Sequence, residues 1–215
     1  SRTDNIFLEK LFELEVPEIE DGIIEIKKIA RAPGDRSKIV VYSSDRRIDA
    51  VGACVGMKGS RIQSIVRELN GEKIDIINFS DQSALLISRA LSPVKPVDLY
   101  IDEDDLYALA IFKDDELAMA IGRNGSNLRL TQDITGYTIT ARSESDHFKS
   151  KSINLDTIDT LSDKFKSTFK EADIISTKDF FEKTDDELLA LKGIGEKSLE
   201  KIKDLLSSEV KNNNG

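Results

Sequence analysis

Ala53-Cys54-Val55-Gly56-Met57-Lys58-Gly59-Ser60-Arg61-Ile62 and Met119-Ala120-Ile121-Gly122-Arg123-Asn124-Gly125-Ser126-Asn127-Leu128 share one pattern, apolar-Gly-x-x-Gly-Ser-x-apolar, offset by 66 positions. Self-similarity at a fixed offset marks a repeated structural unit. A helical stretch follows each copy, clearest at Ile62, Ile65, Val66 and Leu69, which fall at i, i+3, i+4 and i+7. Gly71 and Gly136 are placed to end these helices in a left-handed conformation. Strand-like runs come next, at 73–79 and 137–141. Ahead of each copy, two β-branched or apolar runs flank a turn signal: 23–30 and 37–42 around Ala32-Pro33-Gly34-Asp35, then 97–101 and 107–112 around 102–105. Each unit therefore reads strand, strand, helix, Gly-x-x-Gly, helix, strand. A helix is expected over 4–14, and another over 82–91 that Pro93 stops. The link is too short for independent motion, so one rigid double module is expected.

A Gly-x-x-Gly loop between two helices has a chemical use. A helix N-terminus carries unsatisfied N–H groups and a partial positive charge that attract phosphate. Glycines at either end of a two-residue loop remove the Cβ atoms that keep a sugar-phosphate backbone away. This is the KH arrangement, in which the loop clamps about four nucleotides of single-stranded RNA. The candidate RNA-binding residues are Gly56, Met57, Lys58, Gly59 and Arg61 in the first copy. Gly122, Arg123, Asn124, Gly125, Asn127 and Arg129 are those of the second. Asn127 fits either a base edge or a helix cap. With no tryptophan and no aromatic residue near either loop, edge reading in a groove suits the chain better than a stacking platform.

The net charge of −9 is at first sight unfavourable to nucleic acid. Phosphate binding depends on where the cations sit, however. Residues 31–67 hold eight basic and three acidic side chains, whereas 98–116 hold eight acidic ones and Lys113. The lone Cys54 excludes an internal disulfide and reads as core packing, and the single His147 leaves little for metal ligation. No Walker loop, nucleophile elbow or Cys/His pair offers a catalytic residue, so neither an enzyme, a metal site nor a cofactor is expected. The acidic run 102–105 reads as a solvated hairpin turn rather than a cation site. No apolar run approaches the ~18–20 residues of a membrane helix, and a cytoplasmic monomer is expected.

Beyond Arg142 the texture changes. Residues 143–154 are polar and serine-rich and read as a linker with His147 solvated; from Leu155 the pattern is helical. Thr184-Asp185-Asp186-Glu187 has capping-box spacing. Lys192-Gly193-Ile194-Gly195 then breaks a helix that resumes over 198–206, as in a helix-hairpin-helix, and 212–215 are expected to fray. Gly193, Ile194 and Gly195 are candidate contacts for a protein partner or a DNA phosphate, or are simply packed. A DNA-binding module led by this hairpin is the alternative to the RNA reading.

With these residues in view, the chain resembles the bacterial NusA family. The likeness runs through Ser1-Arg2-Thr3, 11–19, 24–31, 51–61, 71–76, 90–93 and 120–127. It implies two tandem type II KH domains, at 1–80 and 81–142, followed after the linker by an all-α helix-hairpin-helix-like domain at 155–211, in an α+β chain. It further implies binding to nascent RNA and to RNA polymerase in the intact protein, with roles in pausing, termination and antitermination. The C-terminal segment also resembles helical repeats that end some NusA proteins and the C-terminal domain of the polymerase α subunit, which implies contacts with other transcription factors. Ala32 departs from the acidic residue usual in the family. The chain is expected to be a fragment lacking the family's N-terminal and OB-type domains.

Overall fold

The computed structural model describes residues 2–150 and 152–212, with only the backbone of Lys211. It divides into two compact units, Ser1–Arg142 and Ser143–Gly215. In the first, α1 (Asn5–Glu15), α2 (Pro17–Glu20), β1 (Glu25–Ala32), β2 (Arg36–Tyr42), α3 (Ala50–Val55), α4 (Ser60–Glu68) and β3 (Lys73–Asn78) form the first KH domain. The second repeats this order with α5 (Ser83–Ala90), β4 (Asp98–Asp102), β5 (Tyr107–Phe112), α6 (Leu117–Ile121), α7 (Ser126–Thr135) and β6 (Thr138–Ser143). The mixed α/β class and the tandem KH arrangement are as expected.

Local chemistry sets several boundaries. Asp4 caps α1 by accepting from the Ile6 N–H at 3.0 Å, and Asp49 caps α3 by accepting from Gly52 at 2.9 Å. The short α2, which periodicity did not reveal, starts with Pro17 at a position where no N–H is needed. It also delays β1: the Ile23 and Ile24 N–H groups both donate to the Glu18 carbonyl, so the strand begins at Glu25 rather than at Ile23. Helix α7 ends at Gly136 as expected, but α4 closes earlier, with Asn70 rather than glycine first taking a positive φ of 56°.

In each domain the sheet is three-stranded and in sequence order, β1-β2-β3 and β4-β5-β6. β1 and β2 are antiparallel; β2 and β3 are parallel. Strand alternation sends Ile39 and Val41 into a core with Leu8, Phe12, Cys54 and Ile65. Val40 points to the opposite face, where it joins Ala30 and Ile77 against Ala90 of α5 and Leu130 and Ile134 of α7. The second domain thus packs on the back of the first domain's sheet. Lys38, on the same face, is fully buried and donates to Asp75 at 2.8 Å and to the Ser92 carbonyl in the link at 2.9 Å. Burial pushes the Lys38 ammonium below its ordinary pKa, with Asp75 opposing the shift.

Glu72 is 1% exposed. It accepts from Arg31 at 2.8 and 2.9 Å, from the Gly34 N–H at 2.8 Å and from the Ser37 hydroxyl. This carboxylate locks the β1–β2 turn to the start of β3. Burial alone raises its pKa, but the bonds from Arg31, Ser37 and Gly34 together hold it below the ordinary 4.5.

In the second unit the expected linker is instead ordered: residues 144–150 form α8 (Glu144–Ser150), packed on α10 (Thr177–Glu182). His147, expected in solvent, is 3% exposed, and Phe148 stacks on Phe181 with ring centroids 5.1 Å apart. These adjacent ring side chains carry enough apolar surface to dock a short helix whose other residues are polar. The remaining helices are α9 (Asp163–Glu171), α11 (Asp185–Leu189) and α12 (Glu196–Asn212), around a core of Leu155, Phe169, Phe180, Leu188, Ile194 and Leu206. Both halves of the Thr184–Glu187 capping box are made. Asn212 lies in α12; the rest of the expected frayed end is outside the described residues.

Because Glu72 has a lowered pKa when folded, its stabilisation is present above pH ~4.5 and disappears as pH falls through the folded value. Replacing Glu72 by Gln should cost about 3 kcal/mol at pH 7 by stranding Arg31. In denaturant unfolding at a series of pH values, the gap from the wild type should narrow as pH falls below the ordinary 4.5.

Candidate nucleic-acid interface

The two loops follow one backbone path. Gly56, Lys58 and Gly59 have φ of 76°, 54° and 76°; Gly122, Asn124 and Gly125 have 78°, 51° and 73°. The two glycines of each loop serve different ends. A Cβ on Gly56 would lie 2.7 Å from Arg61 Cγ and 3.0 Å from its backbone nitrogen, and one on Gly122 would lie 2.7 Å from Asn127 Cβ. The first glycine is thus required by the protein's own packing, as the second helix passes directly beneath it. A Cβ on Gly125 would meet nothing within 4 Å, and one on Gly59 only side-chain atoms at 3.9 Å. The second glycine supplies the left-handed turn and faces open space, where another backbone can approach.

Helices α4 and α7 follow Gly59 and Gly125 with no side-chain cap; the Ser60 and Ser126 N–H groups turn back to the Met57 and Arg123 carbonyls, and the positive end of each helix dipole lies at its loop. Around them Met57 (88% exposed), Lys58, Arg123, Asn124 and Arg129 are exposed, and these four polar side chains make no hydrogen bond or ion pair among the described residues. This is a pair of polarised, uncapped helix ends with free donors beside them.

Arg61 and Asn127 occupy equivalent positions, and each ties down the helix before its loop. Arg61 Nη1 donates to the Ala53 carbonyl at 2.7 Å and to Glu18 at 2.9 Å. Asn127 is 0% exposed and donates to the Ala120 carbonyl at 2.9 Å and to that of Leu91 at 3.3 Å. The amide closes the end of α6 and does not cap its own helix. Of the eight basic residues in 31–67, Arg31, Arg36, Lys38, Arg47 and Arg61 are held in internal ion pairs. Arg46, Lys58 and Arg67 remain available. The positive segment is therefore largely spent on structure.

A cleft of about 310 Å³ lies beside the second loop, lined by Arg123, Asn124, Ser126 and Arg129 on one side and by Ala32, Gly34 and Asp35 on the other. The turn at 32–35 was legible in the sequence, but its meeting with a loop some ninety residues later was not. Burial pushes the Cys54 thiol up to about 12, with Glu18 adding to the shift, so the thiol stays protonated within the core. No group of three or more His, Cys, Asp or Glu residues suited to a metal ion occurs among the described residues. No helix among them is long and apolar enough to cross a membrane.

In the second unit Gly193 has φ of 87° and Ile194 is buried in the core, as the hairpin reading required. The Gly195 N–H donates to Ser198 Oγ at 2.8 Å. Lys164 passes close to Gly193, where a Cβ would be 3.4 Å from its ammonium.

A family model described as a NusA-like first KH domain matches residues 2–79, and one described as a NusA-like second KH domain matches residues 83–149. The chain is of the NusA type. The transcription termination/antitermination protein NusA of Bacillus subtilis (strain 168) is 49% identical over 146 residues, covering 68% of this chain and 39% of that protein. Its namesake in Borreliella burgdorferi is 49% identical over 146 residues, 67% of this chain and 30% of that protein. That of Rickettsia conorii is 45% identical over 152 residues, 69% of this chain and 30% of that protein. The chain therefore spans well under half the length of these NusA relatives. A third model, described as the C-terminal domain of the bacterial RNA polymerase alpha chain, matches residues 141–208.

The division of labour between the glycines is testable by unfolding. Gly125→Ala, with free space for its Cβ, should cost about 1–2 kcal/mol from the left-handed backbone alone. Gly122→Ala adds a backbone clash with Asn127 and should cost more, giving a clearly lower midpoint in denaturant.

Proposed function

We propose that residues 2–142 hold single-stranded RNA through both Gly-x-x-Gly loops, as part of a factor acting in transcription elongation, pausing, termination and antitermination. One observation carries the reading. Two uncapped helix N-termini are each preceded by a glycine open to space and flanked by unengaged polar side chains. Such an end binds phosphate without a dedicated pocket. Gly56, Met57, Lys58 and Gly59 form one contact; Gly122, Arg123, Asn124, Gly125 and Arg129 form the other. The termination and antitermination role of its NusA relatives supplies the biological setting.

The second unit is proposed as a protein-interaction module in the intact protein, directed at RNA polymerase and its associated factors. Its match to the polymerase alpha-chain domain supports this. The rival DNA reading loses force because the Gly195 N–H that would meet a phosphate already donates to Ser198.

The test uses the full chain and a labelled, unstructured single-stranded RNA 12-mer. Lys58→Asp with Arg123→Asp should weaken binding at least tenfold while leaving the unfolding transition in place. Affinity should fall with salt at a slope of about −0.7 per phosphate neutralised. Unchanged affinity in the folded double variant overturns the KH assignment, and stronger binding to duplex DNA than to the RNA favours the rival.

A further inference from the structure

The cleft between the two KH domains contains a group that phosphate binding does not explain. Its second-loop wall, Arg123, Asn124, Ser126 and Arg129, suits an anion, but Asp35 faces it from the first domain's hairpin turn. A carboxylate there repels a phosphate and offers only acceptors. Most other aspartates and glutamates near β1–β3 are committed: Glu72 to Arg31, Asp75 to Arg36 and Lys38, Asp45 to Arg47. The Asp35 side chain is exposed and engages no partner among the described residues. Its backbone, in contrast, is fixed. The Asp35 N–H donates to Ala32 at 3.0 Å, its carbonyl accepts from Lys73 at 3.0 Å, and the neighbouring Gly34 N–H is held by Glu72. A rigid turn thus presents one free carboxylate to a cleft whose far wall takes a nucleotide.

We infer that Asp35 is a specificity-determining residue for the nucleotide at the second loop, and that it selects guanine. The inference rests on the RNA reading above. Single-stranded bases expose their Watson–Crick edges. Guanine places two donors side by side there, N1–H and the 2-amino group, matching both carboxylate oxygens. Adenine and cytosine each set one amino hydrogen beside a ring acceptor, and uracil sets one N–H between two carbonyls. The opposite wall completes the match, since arginine binds guanine O6 and N7 in a bidentate manner. Arg123 and Arg129 both line that wall. One base would thus be read from both domains at once.

The experiment measures full-chain affinity for three RNA 12-mers: adenosine throughout, the same with one central guanosine, and the same with inosine in its place. Inosine lacks only the 2-amino group. The wild type should bind the guanosine RNA about tenfold more tightly than the inosine RNA, the scale of one hydrogen bond to a charged acceptor. Asp35→Ala should bring that ratio to about one, with affinity for the adenosine RNA unchanged or higher. Equal wild-type affinity for the guanosine and inosine RNAs overturns the inference, as does a ratio that survives in Asp35→Ala; in either case RNA binding itself stands. Failure of the wild type to bind any of the three removes the RNA reading, and the inference with it.

Discussion

Burial of β2 on both faces is the constraint on which the first unit depends. Five consecutive residues, Ser37 to Val41, are shut away from solvent. A strand normally rests one face on a core and leaves the other wet. Here Ile39 and Val41 fill the first domain's own core, while Lys38 and Val40 meet the link and the second domain's helices. The sheet of one domain is thereby the floor of the next. The positions of the two glycine loops relative to each other follow from this packing, since α4 leans on one side of the sheet and α7 on the other.

A second theme is how charge is divided. Buried and half-buried cations hold the architecture: Arg31 on Glu72, Arg36 and Lys38 on Asp75, Arg61 on Glu18. Lys58, Arg123 and Arg129, at the loops, are left unpaired. The acidic overall balance does not by itself decide for or against an anionic ligand, because such a ligand responds to the local charge at the loops. What a ligand meets at the loops is set by which cations remain unpaired.

The loops and the KH order were legible because their signals are local: glycine spacing, helical period, turn chemistry. What escaped reading was long-range. Lys38 is separated from Ser92 by 54 positions and Arg31 from Glu72 by 41, and no pattern within a short window announces such pairs. Arg61 and Asn127 were read as ligand contacts because they sit one turn past the loops. Their bonds to the end of the preceding helix appear only when the two helices are seen crossing. The polar stretch 143–154 hid α8 for a related reason: composition counts residues, whereas two adjacent rings, His147 and Phe148, were enough to bury one face. The cleft at Asp35 joins segments of two domains and had no signature in either.

The buried lysine at the domain junction has a consequence for how such a pair can change over time. Duplicated domains are often treated as interchangeable cassettes. This pair has lost that freedom. Replacing the second domain with an unrelated copy would leave Ala30, Val40 and Ile77 against a foreign surface and remove the Ser92 acceptor from a cation that has no route to water. The repeat persists in the sequence, but its halves are now bound to be inherited together, and substitutions on either side of the junction are expected to arise as matched sets.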